Sequence, residues 1–210
     1  AMNRTTRTIE LAAALERVNG NKEGASQELA KLILQVPASE LARSQDALEK
    51  LAKSSGSTQR RTGLCALVIA SGDPAKAWNS GDDNPRIALL EAAGSIPDAA
   101  LRAKFFPLAS TGLSENKNGR LVDAALRTLS LLGTENAPAA YALAAGFVKS
   151  GRHLNPAIYA LARLQNAWQA ADAAVLTRAI LDDSNKQPAN KRTSADYVAA
   201  IQLARDLAAL

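Results

Sequence analysis

The chain is short of most residues that carry chemistry: one cysteine, one histidine and one methionine in 210 residues, with aromatics at 4%. Cys65 alone cannot form an internal disulfide, so cysteine usage neither supports nor excludes a secreted location. Its neighbours Leu64, Leu67, Val68 and Ile69 mark it as a small buried hydrophobe rather than a catalytic thiol. A catalytic zinc site needs clustered His, Cys and carboxylate ligands, and covalent haem attachment needs Cys-x-x-Cys-His; neither pattern occurs. No metal, cofactor or catalytic residue is assigned. Apolar runs stay well below the ~18 residues of a membrane span, and no apolar signal region opens the chain. Strand-type runs of Val, Ile, Thr and Tyr are almost missing; the longest, Leu64 to Ile69, lies inside a helix-length segment.

What the chain has is alanine and leucine, 47% hydrophobic content overall, and a recurring helix start. Asp73-Pro74, Asn84-Pro85 and Asn155-Pro156 each place an Asp or Asn before a proline and an apolar stretch. The side chain can accept a free N–H of the first turn, and proline is tolerated at the first helical position, so each pair predicts a helix start. The fold class is all-α.

Along the chain, Ile9, Leu11, Ala12, Leu15 and Val18 stand at helical spacing ahead of a stop at Asn19-Gly20. Ser26 is expected to cap a second helix, with Leu29, Leu32, Ile33 and Val36 as its apolar stripe. Ser39 is expected to open a third, with Leu41, Leu48 and Leu51, ending near Ser54 to Gly56. Residues 1–56 form a less regular block. From residue 57 the segments starting at Ala66, Leu89, Ala125 and Ala160 resemble one another, at separations of 23, 36 and 35 residues. Spacings near 35 fit two-helix repeats of the HEAT type, so residues 57–184 are expected to be helix pairs and 193–210 a capping helix. The expected architecture is one domain over 1–210, a HEAT-like right-handed α-α superhelix. Its second helices would run over 75–79, 98–110, 137–149 and 170–182, with Pro107 kinking or ending one of them. Thr193 or Ser194 would cap the last helix, with Val198, Ile201, Leu203, Leu207 and Leu210 among its apolar positions. Ala1-Met2 at one end, and an end at Leu210 inside an apolar helical pattern, read as an excised domain.

The formal charge is +5, and the surplus is divided almost evenly between residues 1–61 and the remainder. Basic spots occur at Arg60-Arg61 and at Lys186, Lys191 and Arg192, the second beside Asp182 and Asp183. This reads as a solvated helical surface rather than a nucleic-acid footprint. Phosphate-binding loops, dinucleotide fingerprints and nucleophile elbows are absent. Asp82-Asp83 and Asp182-Asp183 are adjacent carboxylates, which on a helix point about 100° apart; capping and solvation account for them. His153 reads as an exposed or capping side chain in a turn. Trp78 and Trp168 read as plugs between helix pairs, and Tyr141, Phe147 and Tyr159 as members of buried faces.

The stretch from Asn166 to Leu210 carries a family resemblance: Trp168, a helix through Ala179-Ile-Leu, a polar linker, Lys191-Arg-Thr-Ser-Ala-Asp-Tyr and Ala200-Ile-Gln-Leu-Ala-Arg-Asp-Leu. It resembles the HEAT-type helical region of large secreted bacterial proteins of the PVC-type haem-binding or membrane-bound dehydrogenase-like kind. In those proteins a propeller-like domain, this helical region, a cupredoxin domain and a cytochrome c module occur together. The resemblance implies a non-enzymatic spacer and docking scaffold in a periplasmic or extracellular parent, with redox chemistry on other modules. Its partner would be a protein or a neighbouring domain. The expected working surface is a concave face of second helices around Arg102, Lys104, Lys149 and Arg152. Two alternatives are a HEAT-like nucleic-acid protein resembling alkylpurine DNA glycosylases and a peptide-binding helical-repeat module.

Overall fold

The computed structural model describes residues 4–18, 23–79, 82–114 and 118–210. Among the described residues every regular element is a helix and none is a strand, so the all-α class holds. No helix among them is long and apolar enough to cross a membrane. The helices divide into two compact units, one reaching to Leu108 and the other running from Ala109 to Leu210. The division falls inside the stretch that the sequence periodicity treats as continuous.

The first unit holds α1 (Arg4–Arg17), α2 (Glu23–Leu34), α3 (Ala38–Ala42), α4 (Gln45–Ala52), α5 (Ser57–Ser71), α6 (Pro74–Asn79), α7 (Asp83–Ala92) and α8 (Ala99–Ala103). Helix α5 is its centre, packed against α2, α3, α4 and α7. Ala12, Leu15, Ile33, Leu41, Leu48, Leu51 and Ala66 interlock as its core. Gly63 lets α5 meet α4 backbone to backbone. The Gln59 amide donates to the carbonyls of Leu15 and Val18, both at 3.3 Å, serving the open end of α1. The stop expected at Asn19-Gly20 lies outside the described residues, as does Ala1-Met2.

Three expectations in this unit need correction. Ser26 lies inside α2 and is buried instead of capping it. The helix expected from Ser39 onward is two helices, α3 starting at Ala38 and α4 at Gln45. Ser44 breaks them: its hydroxyl donates to the Glu40 carbonyl at 3.3 Å and its backbone leaves the helical region at φ −110°, ψ 21°. Ile9 and Leu32, placed on apolar stripes, are 46% and 42% exposed.

Helix α9 (Phe106–Ser114) carries the chain across the division. Pro107 sits in its first turn, after α8 has already ended, so the segment expected as one helix over 98–110 is two. The second unit continues with α10 (Gly119–Leu129), α11 (Ala137–Ser150), α12 (Leu154–Arg163), α13 (Ala170–Lys186) and α14 (Ala195–Ala208). Neighbour relations alternate: α10, α12 and α14 lie side by side, α11 lies beside α13, and α11 packs on α12 as α13 does on α14. Tyr141, Ala144 and Val148 of α11 and Ala157, Ala160 and Leu161 of α12 are almost wholly buried. Alanines at these positions let the helices approach closely. Ser194 caps α14, accepting from Tyr197 N–H at 3.3 Å, while Val198 is 57% exposed rather than part of the packed face. That face is Ala200, Leu203, Ala204 and Leu207.

The proline-marked starts behave unequally. Asp73 accepts from Ala75 N–H at 2.9 Å, as an N-cap before Pro74 should. At the other two the helix begins earlier, at Asp83 and Leu154, which moves Pro85 and Pro156 to the third helical position. Proline costs little there, since the first four N–H groups of a helix have no intrahelical partner.

Candidate docking surface

The four cations singled out from sequence fall in different units, Arg102 and Lys104 in the first, Lys149 and Arg152 in the second. Arg102, at the end of short α8, donates from Nη1 to the carbonyls of Ile96 at 2.6 Å and Pro97 at 2.9 Å, closing the turn before its helix. Lys104 donates from Nζ to the Gly72 carbonyl at 2.8 Å, just past the end of α5, where a cation complements the helix dipole. Lys149 donates to Asp172 at 2.6 Å, joining α11 to α13, and the Tyr141 hydroxyl donates to the other oxygen at 3.2 Å. The hydrogen bond from Lys149 holds the Asp172 carboxyl below its ordinary pKa; burial raises that of the Tyr141 phenol. Arg152 places its guanidinium 5.9 Å from the Phe147 ring centre. Arg102, Lys104 and Lys149 thus each donate to the protein itself.

Groups with possible reactivity are held in structural roles. The Cys65 thiol is fully buried and donates to the Ala92 carbonyl at 3.1 Å; burial pushes its pKa up to about 12, so the nucleophilic thiolate does not form near neutrality. Asp82 stands at the N-cap position of α7 with Asp83 first in the helix. Asp182 lies 3.8 Å from Arg178 one turn away, and Asp183 accepts from Gln187 at 3.2 Å. Trp78 is 5% exposed beneath the Arg86 guanidinium, and Trp168 donates to the Leu161 carbonyl at 2.8 Å, serving the end of α12. Among the described residues no three His, Cys, Asp or Glu side chains stand together as a metal site would need.

Sequence reading missed a cluster on the adjoining faces of α10 and α12. Tyr159, placed by sequence on a buried face, is half-buried, and two guanidiniums lie over its ring: Arg163 at 3.5 Å and Arg127 at 5.1 Å from its centre. Arg163 comes from one turn further along α12 and donates to the Tyr159 carbonyl at 3.2 Å; Arg127 reaches across from α10. Both arginines are exposed, and among the described residues neither has a carboxylate partner. The two charges stand no further apart than the sum of their distances to the ring centre, roughly 9 Å, and so repel by at least ~0.5 kcal/mol in water or ~2 kcal/mol at an effective dielectric of ~20. Attraction to the ring offsets this by ~0.5–1 kcal/mol for each exposed cation.

An explanation for the unpaired Arg127 stands one turn earlier on α10. Asp123 and Arg127 are four apart with the acid N-terminal, the favourable order for a helical ion pair. Asp123 is instead held by His153, Nδ1 to Oδ1, at 2.5 Å. His153 precedes α12 with φ 48°, the one non-glycine residue at positive φ among those described. The turn therefore aims the imidazole back at α10, where it bonds the acid. The Tyr159 and Arg163 spacing was visible in the sequence as an i, i+4 pair; the approach of Arg127 and the His153–Asp123 bond join different helices and leave no local signal.

No family model matches this chain, and neither a curated protein nor a solved structure shows significant similarity to it.

Proposed function

We propose that this chain is a non-enzymatic helical docking scaffold, and that the α10–α12 face of its second unit receives a protein partner or a neighbouring domain of the same polypeptide. The observation that carries the reading is the pair of exposed guanidiniums over Tyr159 without a carboxylate. Two like charges held close together form a surface that an incoming anionic group stabilises. The docking face is placed here rather than on the second helices because Arg127 and Arg163 converge on one ring, whereas Lys149 is ion-paired to Asp172 and Arg102 and Lys104 bond carbonyls at separate helix ends. The alternation of α10, α12 and α14 with α11 and α13 favours a HEAT-like helix-pair stack, in which successive pairs cover one another's apolar faces. The resemblance of the last 45 residues to helical regions of secreted multidomain proteins suits a periplasmic or extracellular spacer between redox modules.

A photo-crosslinking amino acid at exposed Asn166, just past Arg163, tests the reading in the source cells. A crosslink to a protein or to a neighbouring domain, lost when Arg127 and Arg163 are both changed to Glu, is expected. Crosslinks to nucleic acid alone, or crosslinks indifferent to both substitutions, would refute it.

A further inference from the structure

We infer that the element docked on this face is an acidic peptide segment whose paired Asp or Glu carboxylates bind Arg127 and Arg163, and that His153 keeps the site open by holding Asp123. The inference rests on the docking reading and names the partner's chemistry.

The choice of carboxylate over nucleic acid follows from the surface. Single-stranded nucleic acid is held by a track of cations with aromatic rings open for bases to stack upon. Here the one aromatic ring on the face lies under two guanidiniums, and Asp123 stands on the same α10 face one turn before Arg127. Substantial non-specific affinity for nucleic acid comes from six to ten phosphate contacts, several times what two arginines supply. Two planar guanidinium forks close together match two carboxylates, each of which can accept a pair of parallel N–H donors.

His153 enters as a positioning residue. Asp123 has two neighbours it can bond, the imidazole across the helix boundary and the Arg127 guanidinium one turn on; the structure shows it on the imidazole. Without His153 the carboxylate is free to turn to Arg127, where it would occupy the guanidinium that the incoming peptide needs. The docking site and its internal competitor share one arginine.

Fluorescence anisotropy of the full chain at low salt tests this with three labelled twelve-residue probes: alternating Glu-Ala, alternating Gln-Ala and oligothymidylate. The Glu-Ala peptide is expected to bind and the Gln-Ala peptide not. Changing both Arg127 and Arg163 to Glu, or to Gln where charge reversal perturbs folding, should weaken Glu-Ala binding about tenfold or more. Changing Lys186 and Arg205, exposed cations elsewhere in the same unit, to Glu should alter it less than about twofold. His153→Ala should weaken binding about threefold, and adding Asp123→Asn should restore it, which a merely structural histidine would not do. Tighter binding of oligothymidylate, equal binding of the Gln-Ala peptide, or equal losses in the Lys186 and Arg205 control would overturn the acidic-segment inference. Failure of Asp123→Asn to restore binding would overturn the role of His153. Should the Glu-Ala peptide fail while the crosslink from Asn166 to a protein persists, this inference falls and the docking reading stands; loss of both removes the docking reading as well.

Discussion

Replacing Gly63 by alanine tests the packing of the first unit against a clear competing expectation. Alanine is the better helix former, and in an open helix the change stabilises by roughly 1 kcal/mol. At Gly63 the added Cβ would meet backbone on the facing helix, lying 2.8 Å from both the Ala52 Cα and the Leu48 carbonyl oxygen. Ordinary carbon contacts sit at about 3.5–4.0 Å, so α4 and α5 would have to part by more than half an ångström. Backbone cannot swing aside as a side chain does. Leu48 and Leu51, both wholly buried beside this contact, would lose close neighbours as the helices separate. Overpacking costs ~1–3 kcal/mol, and the upper end applies here because the clash is with backbone, the Ala52 nitrogen being closer still; less the propensity gain of roughly 1 kcal/mol, a net loss of about 2 kcal/mol is expected. Gly146 is the control: it lies within α11, is exposed, and an added Cβ there meets nothing within 4 Å. Gly146→Ala should therefore stabilise by ~0.5–1 kcal/mol. Urea unfolding followed by far-UV circular dichroism reads both. With a slope of about 2 kcal/mol per molar urea, Gly63→Ala should lower the midpoint by ~1 M and Gly146→Ala should raise it by a few tenths. A Gly63→Ala midpoint at or above that of the unmodified chain would refute the backbone contact between α4 and α5.

Three further outcomes follow from named contacts. With its pKa raised to about 12 and its side chain buried, Cys65 should resist a thiol reagent in the folded protein near pH 8 and react fully in denaturing urea; prompt labelling without denaturant would contradict its burial. The folded pKa of Asp172 is depressed below its ordinary 3.8, so the Lys149 contact contributes stability above that value and loses it as pH falls through the folded pKa. Lys149→Ala should accordingly cost up to ~1 kcal/mol near neutrality, with the difference from the unmodified chain shrinking below about pH 4; a pH-independent difference would show that the ion pair contributes nothing. At φ 48° His153 sits where glycine is at ease, so His153→Gly should be about 1 kcal/mol more stable than His153→Ala, and equal urea midpoints would argue against the left-handed turn.

The fold class was legible because alanine and leucine at helical spacing admit few alternatives, and the starts at the proline-marked pairs were legible to within a turn, whereas the starts of α4 and α9 were missed. Their offsets have local causes. A proline is compatible with any position in the first turn, so Asn84-Pro85 and Asn155-Pro156 mark that turn without marking its first residue. Ser44 interrupts an apolar pattern that continues through Leu48 and Leu51, because its hydroxyl competes for a backbone carbonyl, and apolar periodicity does not register such competition. Ile9 and Val198 fit their helices' apolar spacing yet face outward, since spacing identifies a stripe while the neighbouring helix decides how wide a stripe is covered. The chemistry of the surface was the least legible part. Tyr159 and Arg163 lie four apart in the chain, but Arg127 and the His153–Asp123 bond reach them from other helices and turns.

That difference bears on how a net charge of +5 should be understood. A surplus spread over the chain says little about a partner, because a cation bonded to its own fold presents a weaker claim on an anion than its formal charge suggests. Lys149 shows the first case: Asp172 holds it, and its charge joins α11 to α13. Arg127 shows the second, and its availability depends on a bond that it does not make. The acid best placed to neutralise it is held by a histidine in a turn of unusual backbone conformation. On the proposed reading, two features that look incidental separately, a turn at positive φ and a histidine–aspartate bond, together leave an exposed arginine without its helical acid partner. The docking site proposed here is thus specified by which cations lack a carboxylate partner, and the chain reaches that state by positioning one carboxylate rather than by accumulating arginines.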